Sequence, residues 1–257
     1  MSRPPTIRDD LAGRDRTRSY DVRSASQQYS NIAGLLAGFA FTVIILVAQE
    51  NVSSLSESEV LNRNIASIGF FVSFFGCILS SFVFALVSGE EALTPRANQM
   101  AFFAGGSFSL SISLLFWSIS RILSAFFVEE ISSFADEIFP LFIIIHPIFV
   151  IAAILDNIYI FDRRDPKPEE YLVSILPSAL TILFYYWLHL GGLKIIVVES
   201  LELFYLIIKL FLFFTIIGNI LSSLISTRDE YSRIPICIGG LWIWLQSLLI
   251  GFLIVLT

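Results

Sequence analysis

Residues 98–128, NQMAFFAGGSFSLSISLLFWSISRILSAFFV, form a largely apolar run that is long enough to cross a lipid bilayer as one helix. Small residues recur at helical spacing along one face of that helix, at Gly106, Ser109, Ser113 and Ser120. Because lipid tails are as apolar as the helices, membrane helices associate through close backbone contact at small residues. We therefore predict that this segment is the central helix of a membrane bundle.

The composition of the whole chain agrees with a membrane environment. Of its 257 residues, 56% are hydrophobic and 15% are charged, whereas soluble domains contain about 25% charged residues. The charged residues gather in short clusters between long apolar runs, which is typical of a polytopic membrane protein. Two cysteines, Cys77 and Cys237, are too few for a disulfide framework.

The apolar runs predict an all-α fold with one seven-helix transmembrane domain over residues 31–257. A polar, mostly disordered and cytoplasmic tail over residues 1–30 precedes it, because that stretch lacks an apolar stripe to bury. Six spans are the alternative if residues 172–225 fold less regularly. The predicted spans are residues 31–48, 65–88, 100–128, 138–161, 172–190, 203–225 and 235–256.

The distribution of basic residues predicts the orientation of the chain. With a cytoplasmic N-terminus, the tail and the even-numbered loops carry twelve lysines and arginines, and the odd-numbered loops carry two. This bias follows the positive-inside rule, and it places the C-terminus outside. The outer loops also hold nine acidic residues, which either raise the local cation concentration or only keep the loops in water.

Several small residues are predicted to pack helices against one another. Gly34 and Gly38 form a GxxxG pair on the first span, which suits packing on a neighbouring helix or on a second copy in a homo-oligomer. The other candidate packing residues, on the second and third spans, are Gly69, Ser73, Gly76 and Gly106.

Three basic side chains fall within predicted spans at a similar depth in the outer leaflet. They are Arg121, His146 and Lys209, and Arg121 lies roughly 10 Å below the surface at 1.5 Å per residue. They are candidates for a polar cavity open to the outside, because ionisable groups inside a membrane are usually functional or paired. Alternatively, Arg121 and Lys209 extend toward acidic loop residues, and His146 bonds a carbonyl freed by Pro147.

Uncharged polar residues supply a second candidate feature. Asn219 belongs to a polar stripe on the sixth span together with Thr215, Ser222 and Ser226, and Gln246 lies in the middle of the seventh. Together with Ser109 and Ser113 on the third span, these side chains either line a narrow hydrated path or form hydrogen bonds between helices.

Known seven-span families do not fit this chain. Retinal proteins and G-protein-coupled receptors have the opposite orientation, and the last span here has no lysine for retinal. The zinc hydrolases related to adiponectin receptors need three histidines, but only His146 and His189 are present. The segment from Gly105 to Ser109 departs from the GxSG motif of rhomboid proteases. We find no metal or cofactor motif, and we expect no cofactor and no nucleic-acid partner.

Function follows only in outline from these features. We expect a non-enzymatic conduction, transport or pore-forming protein in the lipid bilayer, acting as an oligomer. The alternative is a membrane sensor or scaffold that binds a cytoplasmic protein through the arginine-rich residues 1–30. A third reading is an intramembrane hydrolase that uses Ser107 or Ser109 with His146.

Overall fold

A computed structural model describes residues 22–49, 55–90, 94–126, 201–227 and 236–255, with isolated positions between 168 and 183. Within that part of the chain the fold is all-helical, as predicted, and contains no strand. Its five long helices are α1 (Val22–Gln49), α2 (Glu57–Ser88), α3 (Pro95–Phe126), α4 (Leu201–Ser226) and α5 (Ile236–Val255).

The helices extend beyond the predicted spans at several ends. α1 begins at Val22 rather than at residue 31, so residues 22–30 are helical and not part of a disordered tail. α2 begins eight residues before the predicted start of its span. The reason is that apolarity marks the segment that contacts lipid, whereas backbone hydrogen bonding continues into polar sequence. The rest of the predicted tail and the spans at 138–161 and 172–190 lie outside the described residues, apart from isolated helical positions.

A capping box fixes the start of α2. The Ser56 hydroxyl accepts a hydrogen bond from the Glu59 backbone N–H, and the Glu59 carboxylate accepts one from the Ser56 N–H at 2.6 Å. These reciprocal bonds satisfy two backbone donors that no helical carbonyl can reach. The polar sequence before the apolar run therefore determines where this helix begins.

α1 and α2 form an antiparallel hairpin that is held at both ends. At one end the hydroxyls of Ser30 and Ser81 each donate to the other residue's carbonyl oxygen at 2.9 Å. At the other end Arg63 donates to the Val47 carbonyl oxygen from Nη2 at 2.6 Å and from Nε at 3.2 Å. Between these ends, alanines of α1 are buried against α2 and its neighbours, at Ala33, Ala37 and Ala40.

The Arg63 contact satisfies a carbonyl at the end of α1, where intrahelical donors run out. We expect Arg63→Ala to lower the free energy of unfolding by about 1–2 kcal/mol, because a charge-assisted hydrogen bond is lost. The measurement is SDS-induced unfolding of the purified protein. The control is Asn64→Ala, since Asn64 is the exposed neighbour. Equal effects of the two substitutions would contradict the capping role.

α3 is the central helix, as predicted, because it contacts all four of the other described helices. Its antiparallel contact with α2 runs through Gly69 beside Ser118 and Gly76 beside Ser111. α4 is also antiparallel to α3, and the Ser222 hydroxyl donates to the Met100 carbonyl oxygen at 2.8 Å. The surfaces of α1, α2 and α4 that face away from the bundle carry large exposed hydrophobic side chains, as expected for contact with lipid.

Candidate functional site: a buried polar seam

Polar side chains from three helices meet inside the bundle. We define the polar seam as six buried residues of α3, α4 and α5, namely Ser107, Ser111, Thr215, Asn219, Ser222 and Gln246. The α4 residues recur at intervals of four and three, so they lie on one face of that helix. The opposite face of α4 is apolar and exposed, with Phe213, Ile220 and Leu224. The polar side chains of α4 therefore face the bundle interior, and its apolar side chains face outward, where lipid is expected.

A glycine on α2 brings three helices together at the seam. A Cβ atom at Gly76 would overlap the Ser111 hydroxyl of α3 and would lie 2.8 Å from the Thr215 Cγ2 atom of α4. No real Cβ makes contacts this short, so the close approach of the helices depends on glycine at this position. Two further buried serines of α2, Ser73 and Ser80, flank Gly76.

Two more glycines accommodate α5. The Trp242 indole and the Gln246 side-chain amide both lie against Gly106 of α3, and the same indole lies against Gly218 of α4. The Ser107 hydroxyl also lies against Gly218. Small residues on α3 and α4 therefore bring Ser107, Trp242 and Gln246 into one compact region of the bundle interior.

Some polar atoms of the seam are satisfied by backbone carbonyls. Ser111 donates to the Ser107 carbonyl oxygen at 2.9 Å, and Asn219 Nδ2 donates to the Thr215 carbonyl oxygen at 2.9 Å. Such bonds within a helix are common for short polar side chains, and they do not link one helix to another.

Other polar atoms of this region have no hydrogen-bond partner among the described residues. They are Ser107 Oγ, Asn219 Oδ1, Trp242 Nε1 and Gln246 Nε2. An unsatisfied buried polar group costs about 1–3 kcal/mol, so a fold that keeps several of them at one place calls for an explanation such as a bound water or a function.

The predicted basic cavity is only partly covered by the described residues. The Arg121 guanidinium carbon lies 5.5 Å from the centroid of the Trp117 ring, a cation–π arrangement inside the bundle. Arg121 is half-buried, and Lys209 lies on an exposed part of α4. His146 lies outside the described residues, and a cavity built on it stays a prediction.

The small residues predicted to pack helices fall into two groups. Gly69, Ser73, Gly76 and Gly106 are buried, and the three glycines lie in helix contacts. Gly34 and Gly38 lie on the exposed side of α1, and a Cβ at Gly38 would meet nothing within 4 Å. The alanines beside them, and not the GxxxG pair, face the interior.

The face predicted along α3 differs from the face that contacts the neighbouring glycines. Ser107, Ser111 and Ser118 make those contacts, whereas Ser113 is buried and donates to the Ser109 carbonyl oxygen of its own helix at 3.0 Å. Most residues of α3, polar and apolar, are buried, and they cover more than one side of the helix, so periodicity does not single out one interface.

Trp242 was missed as a site residue by sequence reasoning. A glycine pair on two other helices, Gly106 and Gly218, creates its binding slot. Pairing a large side chain with glycines on different helices requires the tertiary structure.

The described helices define the class of protein. α1, α2, and the central parts of α3 and α4 at Arg96–Leu123 and Tyr205–Ile225, are long and apolar enough to cross a membrane, so this is an integral membrane protein. Comparisons with protein-family models, curated proteins and solved structures found no match. Among the described residues no group of His, Cys, Asp or Glu is arranged to hold a metal ion.

Proposed function

We propose that this protein conducts an ion or a small polar solute across the plasma or cytoplasmic membrane, along a path that includes the polar seam. The observation that carries this proposal is the group of buried polar atoms without partners at Ser107, Asn219 and Gln246. In lipid, such groups are retained where they line a water-filled or ligand-filled route. Hydroxyl and amide groups replace the hydration shell of a permeant species without binding it too tightly to leave.

The proposed topology has seven spans, a cytoplasmic N-terminus and an external C-terminus. α3 and α4 are antiparallel, as shown by the contacts of Met100 with Ser222 and of Ser107 with Gly218. An antiparallel pair requires an even number of crossings between them, and two predicted spans, 138–161 and 172–190, satisfy that requirement. The excess of basic residues in the tail and even-numbered loops supports the orientation.

The proposed functional unit is a homo-oligomer. Gly34 and Gly38 are exposed on α1, and a Cβ at Gly38 would meet nothing within 4 Å, so this face permits close approach of a second helix. Native mass spectrometry from nanodiscs measures the subunit number directly. A strictly monomeric protein would contradict this part of the proposal and would require the path to lie within a single chain.

Conduction is tested by reconstituting the full-length protein in liposomes and measuring cation and anion flux over a range of voltage and pH. We expect flux above that of empty liposomes, with cations favoured if the acidic outer loops concentrate them. Asn219→Leu and Gln246→Leu should each lower the flux at least tenfold, because each replaces a polar group of the seam with an apolar one.

The matched control for the flux experiment is Asn64→Leu. Asn64 is also a helical asparagine, but it is exposed and lies outside the seam, so its replacement should leave the flux unchanged. Flux indistinguishable from that of empty liposomes under all conditions would contradict conduction. If Asn64→Leu lowered the flux as much as the two seam substitutions, the flux would not depend specifically on the polar seam.

A sensor or scaffold that binds a cytoplasmic protein is the second candidate function. It is favoured by the contacts between the start of α1 and the segment that joins α2 to α3. Arg23 Nη1 donates to the Glu90 carbonyl oxygen at 3.3 Å, and Arg96 forms an ion pair with the Glu90 carboxylate. A partner bound to the preceding tail would thereby be coupled to three helices. Deleting residues 1–21 should then abolish capture of the partner and leave the bundle folded.

A further inference from the structure

The indole of Trp242 occupies a slot formed by two glycines on different helices. A Cβ atom at Gly106 would lie 2.6 Å from the indole Nε1 atom. A Cβ at Gly218 would lie 2.5 Å from Cζ2 and 2.8 Å from Cη2. Both positions must therefore be glycine for the ring to fit as it does, and α5 inserts a rigid wedge between α3 and α4.

Aromatic rings complete the slot. The Trp242 ring centroid lies 5.7 Å from that of Phe103 and 6.2 Å from that of Phe214, both in tilted arrangements. These are favourable separations for aromatic pairs. The indole is consequently well packed through its carbon atoms, and only 4% of Trp242 is exposed.

The polar atoms around the indole, in contrast to its carbon atoms, lack favourable contacts. Trp242 Nε1, Gln246 Nε2 and Ser107 Oγ are buried and have no hydrogen-bond partner among the described residues. Each of them lies against one of the two slot glycines. Water beside the slot would satisfy all three atoms.

We propose that the Trp242 side chain is a movable seal that closes the polar seam to water. In the closed state the ring is packed between Gly106 and Gly218, and the polar atoms behind it are dry. In the open state the ring turns out of the slot, and water enters beside Ser107 and Gln246. The inference rests on the proposed conduction function, because a seal regulates a path.

Two opposing contributions make such a seal responsive. Aromatic packing in a glycine-lined slot favours the closed state, and hydration of three buried polar groups favours the open state. When two arrangements of one side chain are close in free energy, a modest differential interaction shifts their populations. In the proposed seal, the open state is populated when hydration of the three polar groups outweighs packing of the ring in the slot.

Water access to Ser107 tests the seal directly. The reporter is Ser107→Cys in a Cys77→Ala and Cys237→Ala background, labelled in nanodiscs with a water-soluble methanethiosulfonate reagent. We expect Trp242→Ala to raise the labelling rate at least tenfold, because it removes the wedge. Trp242→Phe should raise it by a smaller factor, since phenylalanine leaves part of the slot open.

The matched control is Trp244→Ala on the same helix. Trp244 is 43% exposed and lies on the outer face, so its removal should leave the labelling of residue 107 unchanged. Size-exclusion profiles identify variants that fail to fold, and Trp242→Phe keeps the test decisive if Trp242→Ala is one of them. A folded Trp242 variant that labels no faster than the Trp244→Ala protein would overturn the seal.

Liposome flux measured on the same proteins separates this inference from the proposed function. If the Trp242 variants label faster but no protein shows flux, the seal is supported and the proposed conduction is contradicted. If the unmodified protein shows flux and the Trp242 variants change neither flux nor labelling, conduction is supported and the seal is contradicted. Faster labelling together with increased flux in Trp242→Ala is the result expected if both hold.

Discussion

Phe84→Ala is expected to destabilise the bundle by about 2–3 kcal/mol. Phe84 is 1% exposed, and its ring bridges three helices, with centroids 5.5 Å from Tyr29 of α1 and 5.8 Å from Phe108 of α3. Removing a buried phenylalanine from a soluble core typically costs about 3–5 kcal/mol. The smaller value applies here because separated helices remain in lipid, so the loss comes from packing and the cavity rather than from contact with water.

The same helix supplies the control for this prediction. Phe82 is two residues away and 67% exposed, so Phe82→Ala exchanges only a contact with lipid or detergent. Its effect should stay within about 0.5 kcal/mol, the usual range for surface substitutions. SDS-induced unfolding followed by tryptophan fluorescence measures both variants. If Phe82→Ala were as destabilising as Phe84→Ala, the assignment of the inner and outer faces of α2 would be wrong.

Gly218→Ala is expected to lower the free energy of unfolding by about 2 kcal/mol, although alanine is the better helix former. The added Cβ would lie 2.5 Å from the Trp242 Cζ2 atom and would overlap the Ser107 hydroxyl. The hydroxyl can rotate away, but the indole is also packed against Phe103 and Phe214, so the added Cβ forces it out of this packed position. Overpacking of this kind costs about 1–3 kcal/mol.

Gly251→Ala, in contrast to Gly218→Ala, is not expected to lower the free energy of unfolding. A Cβ at Gly251 of α5 would meet nothing within 4 Å, so the substitution adds helix propensity without a clash. We expect a gain of about 0.5 kcal/mol or no change, because glycine in a helix is less favourable than alanine by that order. A gain in stability from Gly218→Ala as well would show that Trp242 does not occupy the slot between the two glycines.

The individual residues show where sequence reasoning succeeds. Apolar runs located every described helix, and the polar stripe of Thr215, Asn219 and Ser222 on α4 is buried on one face as its periodicity indicated. α4 has exposed apolar side chains on one side and buried polar side chains on the other, so its two faces differ in composition. Periodicity is informative when the two sides of a helix meet different surroundings.

Sequence periodicity is less informative where both sides of a helix have similar surroundings, or where tertiary contacts determine which of two similar faces is buried. On α1, the GxxxG pattern predicts packing of Gly34 and Gly38 on a neighbouring helix or on a second copy, and it does not show that Ala33 and Ala37 are the residues buried within one chain. The pairs of contacts that hold the α1–α2 hairpin, Ser30 with Ser81 and Arg63 with Val47, set this rotation. Neither pair can be recognised from one helix alone.

The amino-acid sequence by itself indicated a membrane protein and the approximate positions of the four described helices that can cross a membrane, because transfer of apolar side chains into hydrocarbon depends on local composition. Only the tertiary structure decided which polar atoms meet in the interior. Contact between Trp242, Gly106 and Gly218 depends on the shapes of three helices that are far apart in sequence. Close packing in lipid is governed by such fits between surfaces, and no property of a single segment encodes them.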